Sequence, residues 1–132
     1  MRVLIDTTFI LPALGVDVGE RVLELIGKFH NHEIYFVELS TLEAMWVIRR
    51  LIKKGAEVDL KRVKIGLRSV RETYRLLRVP TSAYLMAIKE KGHEDLIDLT
   101  LYYTAKSYGL KFLSIDQKLK EFDKDKVIVD EI

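Results

Sequence analysis

Arg2-Val3-Leu4-Ile5-Asp6-Thr7-Thr8 near one end of the chain and Lys111-Phe112-Leu113-Ser114-Ile115-Asp116 near the other decide the fold. Each is a short apolar run that stops at an aspartate, as expected of a buried parallel strand whose carboxyl end meets a polar edge. Strands are therefore expected at 2–5 and 111–115. Ile34-Tyr35-Phe36-Val37 has the β-branched and aromatic content of a further strand, and Val127-Ile128-Val129 that of a last one after a charged turn. Between them the apolar spacing changes to three and four. Val22, Leu25, Ile26 and Phe29 predict a helix over 19–30, and Leu42, Met45, Trp46, Ile48, Leu51 and Ile52 predict one opened by Ser40 and ending near Lys54. Residues 58–78 read as helix, bent or broken near Gly66, with a brief strand at 76–79 as the alternative for its end. Val79-Pro80 interrupts the helical run, Thr81 caps a helix to about Lys91, and another runs from Asp95 to Tyr108 with Gly109 as its stop.

Strands separated by helices favour a sheet covered on both faces, so the expected class is α/β, a three-layer α/β/α domain with a mostly parallel sheet of four to five strands. The 132 residues suit one domain, taken as 1–132, and 48% hydrophobic residues supply a core and exclude a disordered linker. With no cysteine, a disulfide framework, a thiolate nucleophile and a Cys-containing zinc site are all excluded. No apolar run approaches the roughly 20 residues of a membrane helix, so a soluble, unprocessed, cytoplasmic protein without membrane contact is expected.

Ligands of open α/β sheets bind beyond the carboxyl ends of the strands. Asp6 and Asp116 stand at two such ends, and neighbouring parallel strands lie about 4.8 Å apart, close enough for both to share one ion. Glu43 and Asp98, near the starts of helices entering the same edge, are the natural additional oxygens. Such a cluster is self-repulsive until a cation neutralises it, and Mg²⁺ or Mn²⁺ suits carboxylate and water oxygens. Each acid also has an ordinary explanation. Ser40-Thr41-Leu42-Glu43 fits a capping box, Glu94, Asp95 and Asp98 favour a helix dipole, and Asp6 and Asp116 can begin turns. His30, His32 and His93 read as surface or capping residues, since no His-x-x-x-His pair accompanies them.

The ordered set resembles the PIN-domain ribonucleases, in particular the VapC-like toxin branch. Val3-Leu4-Ile5-Asp6-Thr7-Thr8 resembles the family's first strand, Val37 through Glu43 the segment that delivers its glutamate, and Asp98 through Gly109 to Ser114-Ile115-Asp116 its closing motif. The resemblance implies a Mg²⁺- or Mn²⁺-dependent endoribonuclease in which Asp6, Glu43, Asp98 and Asp116 are metal ligands or accept the proton of the attacking water. It prefers Asp98 to Asp95 through the spacing to Gly109 and Asp116. Thr8 and Ser114 then hold a carboxylate or the scissile phosphate, or merely cap turns. The resemblance also implies a homodimer, with Met45 or Trp46 in its contact.

Residues 49–78 hold 11 Lys or Arg against 3 Asp or Glu, so the rest of the chain is net acidic. Arg68, Arg71, Arg75 and Arg78 are spaced to share one helix face. That stripe is either a solvated surface or a path for an RNA backbone or an antitoxin's acidic tail. The alternative function is a catalytically silent protein- or RNA-binding module. A metal-dependent phosphatase is disfavoured, because no second aspartate stands two residues after Asp6.

Overall fold

A computed structural model describes residues 1–132. Five strands, β1 (Arg2–Ile5), β2 (Glu33–Val37), β3 (Arg75–Leu77), β4 (Lys111–Leu113) and β5 (Ile128–Val129), form one sheet in the order β3-β2-β1-β4-β5. Every pairing is parallel. Six helices join them: α1 (Glu20–Ile26), α2 (Glu38–Lys53), α3 (Leu60–Thr73), α4 (Thr81–Lys89), α5 (Leu96–Tyr108) and α6 (Gln117–Phe122). The chain moves outward from β1 through β2 to β3, then crosses to β4 on the other flank of β1. The crevice between β1 and β4 is therefore a topological switch point.

The alternation of β1 divides the core. Val3 and Ile5 pack with Ile34 and Phe36 of β2 against Val22, Leu25, Ala44, Ile48, Val63 and Val70, so α1, α2 and α3 cover one face. Leu4 points the other way, with Tyr35, Val37 and Phe112 against Ala83, Ala87, Leu99, Leu101 and Leu119 of α4, α5 and α6. The result is the three-layer α/β/α arrangement expected from the sequence, with all the strands parallel. No helix is long and apolar enough to cross a membrane.

Several local expectations change. β2 runs straight into α2, whose first residue is Glu38 and whose N-cap is Val37. Ser40 is therefore inside the helix and buried, its hydroxyl without a partner, and no capping box with Glu43 forms. α1 is shorter than expected, because the chain leaves it at Gly27 for a 3-10 turn over Phe29–Asn31. The alternative strand after α3 is present as β3. Pro80, rather than Thr81, occupies the N-cap of α4. The charged turn after Asp116 contains α6, a helix too short to show apolar periodicity in the sequence.

Gly66 does not break its helix. α3 is continuous through it, because the missing side chain lets α3 pack directly on the backbone of the 3-10 segment Leu11–Leu14. A Cβ at Gly66 would lie 2.1 Å from the Ala13 carbonyl oxygen. By helix propensity alone, Gly66→Ala should stabilise by about 0.8–1 kcal/mol. The steric conflict reverses the sign, and we expect a net loss of roughly 1–3 kcal/mol. Urea denaturation measures it, with Ser69→Ala on the exposed face of α3 as the control. A Gly66→Ala midpoint at or above wild type would show that the helix and the 3-10 segment separate freely.

Candidate metal centre

Ile5 is paired with Leu113, so Asp6 and Ser114 leave β1 and β4 side by side at the carboxyl edge. Asp6 caps a 3-10 turn over Thr7–Phe9, and the Thr8 amide donates to its Oδ1 at 2.9 Å. Ser114 is buried beside Asp6, whose ionised form its hydroxyl favours, and its Oγ accepts the Asp116 amide at 3.2 Å. Asp116 is the N-cap of α6, where its Oδ1 accepts the Lys118 amide at 2.9 Å and the Leu119 amide at 3.3 Å. α5 enters the same edge. Asp95 is its N-cap and accepts the Asp98 amide at 3.0 Å, which leaves the Asp98 side chain in the first turn directed at the cluster.

Burial, aided by the Asp98 charge and opposed by the Thr8 amide and the Ser114 and Thr8 hydroxyls, pushes the Asp6 carboxyl up to about 7. Burial and then the neighbouring Asp95 raise Asp98 to about 6, against the pull of His93, and Asp116 adds to the rise. Asp6, Asp98 and Asp116 thus share one field. Glu43 lies in the second turn of α2 rather than its first, and it joins the edge through Thr7, whose hydroxyl donates to Glu43 Oε1. Thr7, next to Asp6, is buried, whereas Thr8, the hydroxyl expected from the sequence, is more exposed.

His93 is the residue that the sequence reading missed. It is neither on the surface nor a cap. Its side chain is 9% exposed and its Nε2 lies 3.3 Å from Asp98 Oδ2. His93, Asp98 and Asp116 each place a ligand atom within 4.8 Å of the others. The sequence carried no periodic signal for it, since His93 belongs to the loop before α5 and meets Asp98 only once that loop has folded back.

The donor set fits a hard or borderline divalent ion: carboxylate oxygens with one imidazole, in a field repulsive enough to hold protons without one. The basic stripe fits less well. α3 ends at Thr73, so Arg75 and Arg78 leave its face, because β3 turns the chain into the sheet. Arg75 pairs with Glu33 at 3.1 Å, Arg71 pairs with Glu38, and Arg68 remains exposed on α3. Arg68 and Arg71 line a groove with Thr41, Met45, Leu60 and Leu67 between α2 and α3.

Against protein-family models, residues 3–125 match the PIN domain. No curated protein matches the chain. Among solved structures, the crystal structure of PAE2754 from Pyrobaculum aerophilum is similar in fold, with a TM-score of 0.68 at 19% identity, over 98% of this chain and 93% of that one.

Both raised carboxyls set a pH dependence. Because Asp6 and Asp98 hold their protons more tightly folded than unfolded, they favour the folded state below about pH 4, and this is lost as pH rises through about 6 and 7. A divalent ion neutralises the charges that then appear and must displace protons at lower pH. Saturating Mn²⁺ should therefore raise the melting temperature by on the order of 5 °C at pH 8, and by clearly less at pH 5.5. Differential scanning calorimetry with Mn²⁺ or EDTA at the two pH values checks this; an equal shift at both would separate the ion from these carboxylates.

Proposed function

The chain belongs to the PIN domain family, a nuclease-type fold, and from that premise we propose that it is a metal-dependent endoribonuclease using Mg²⁺ or Mn²⁺. The observation that carries the proposal is the meeting of Asp6, Asp98 and Asp116 at the β1/β4 switch point, where burial raises the Asp6 and Asp98 carboxyls. In this reading Asp6, Glu43, Asp98 and Asp116 hold the ion or take the proton of the attacking water. A divalent ion held there would supply a polarised water and neutralise charge that builds on the phosphate oxygens. Water oxygen would add to phosphorus as the bond to the leaving ribose oxygen breaks, a carboxylate would remove the water's proton, and the leaving oxygen would take a proton from solvent. Ser114 and the Thr8 amide orient Asp6 for this work, and the Thr7 hydroxyl does the same for Glu43.

The reading extends to one domain over 1–132, to a cytoplasmic setting and to the toxin of a toxin-antitoxin pair. An antitoxin segment with apolar and acidic residues suits the groove between α2 and α3, where Arg68 and Arg71 flank Met45 and Leu60, with Leu42 and Trp46 exposed nearby. A homodimer belongs to the same reading. Single-stranded and loop RNA are the preferred substrates, since splayed strands present phosphates to an open edge more readily than a duplex.

Purified protein should cut single-stranded RNA with Mn²⁺ and stop with EDTA. Asp98→Asn should lower the rate about 100-fold or more, at least the upper end of what losing a supporting partner costs a metal site. Asp95→Asn should leave much of it, because asparagine caps a helix nearly as well. Circular dichroism establishes that both variants fold. The reverse ranking would move the centre one turn along α5, and RNA or protein binding without cleavage under any ion would replace the enzyme with a binding module.

A further inference from the structure

We infer that His93 Nε2 is a direct ligand of the ion, beside Asp98 and Asp116, and that this imidazole gives the centre a preference for Mn²⁺ over Mg²⁺. The inference rests on the metal-dependent reading above and adds a residue and a selectivity to it.

The loop that carries His93 is built to hold it still. Glu90 Oε2 accepts the amides of Lys91 and Gly92 at 2.9 Å each, and Tyr103 donates its hydroxyl to Glu90 Oε1 at 2.7 Å. A Cβ at Gly92 would come within 2.9 Å of the Phe122 ring, so glycine allows the loop to lie against the end of α6. The His93 ring then packs beside Phe122, with centroids 6.2 Å apart. These contacts come from α5 and α6, the two helices whose starts supply Asp98 and Asp116. The imidazole is thus fixed relative to both carboxylates, and little ordering entropy remains to be lost when an ion binds.

The spacing suits two ligands of one ion as well as a long hydrogen bond. A charge-assisted N–H···O bond closes to about 2.7–2.9 Å, whereas Nε2 and Asp98 Oδ2 stand 3.3 Å apart. Ligands about 2.1 Å from one octahedral ion lie roughly 3.0 Å apart when adjacent and roughly 4.2 Å when opposite. The ligand atoms of the trio all fall within 4.8 Å of one another, slightly wider than that sphere, so a small side-chain adjustment gathers them around one ion. Mg²⁺ gains little from exchanging a water for a nitrogen, while Mn²⁺ and later transition ions accept imidazole readily. Were His93 only to orient Asp98, it would help both ions alike.

The test uses the full chain, stripped of metal, titrated with MnCl₂ and separately with MgCl₂ by calorimetry, and pulsed electron paramagnetic resonance of the Mn²⁺ complex. Wild type should bind Mn²⁺ at least about tenfold more tightly than Mg²⁺ and show a histidine nitrogen coupling. His93→Gln keeps a hydrogen-bond donor without the imidazole. It should lose the coupling and about 10–100-fold in Mn²⁺ affinity, with Mg²⁺ affinity nearly unchanged. An equal fall for both ions, or no nitrogen coupling in wild type, overturns the inference, and the wild-type spectrum decides even if the variant does not fold. Mn²⁺-dependent RNA cleavage without nitrogen coupling overturns this inference alone. Failure of either ion to bind wild type overturns it together with the metal-dependent reading.

Discussion

The parallel pairing of β1 with β4, Ile5 opposite Leu113, is the constraint on which the centre depends. Both strands are buried on both faces, so neither can slide by one residue without turning its apolar set to the wrong layer. That register places the Asp6 backbone beside Ser114, and Ser114 in turn sets where the chain turns to cap α6 with Asp116. The position of the acids is thus decided by core packing several residues away. Their own interactions oppose it, since burial and like charge both work against ionisation.

Helix starts make that opposition tolerable. Asp6, Asp95 and Asp116 each accept backbone amides at the beginning of a helical turn. An N-cap carboxylate is stabilised there by hydrogen bonds and by the local dipole. For Asp6 and Asp116 the ordinary reading as caps is therefore compatible with the proposed role at an ion, since capping engages Oδ1 of each carboxylate. Asp98 has no such cap of its own. It depends on Asp95 for its backbone and on His93 beside its side chain.

The strands and the layer order were legible in the sequence because apolar period and strand-end acids are local signals. The expectation that Asp95 stands nearer the helix start than Asp98 was legible too, and Asp95 is the N-cap of α5 with Asp98 in its first turn. What escaped was non-local. Gly66 reads as a helix breaker until Ala13 is seen against it, and His93 reads as a surface residue until its loop folds onto Phe122. The stripe of arginines failed for a different reason. The spacing that aligns Arg68 and Arg71 continues in number to Arg75, but the helix does not, because β3 takes up hydrogen bonds with β2 instead. Thr7 and Thr8 are indistinguishable in sequence as a pair of hydroxyls, and only the 3-10 turn after Asp6 sends the Thr7 hydroxyl to Glu43 and the Thr8 amide to Asp6.

The central place of β1 carries a consequence for how the protein matures. Its two neighbours, β2 and β4, come from early and late in the chain, and the late one brings Ser114 and Asp116 with it. Contacts between residues so distant in sequence close late, after much loop entropy has been spent. A nascent chain can assemble β1, β2 and the helices of one face while the carboxyl edge of the sheet still lacks Asp98 and Asp116. Asp6 and Glu43 therefore leave the ribosome long before Asp98 and Asp116, and the acidic edge is complete only once β4 pairs with β1.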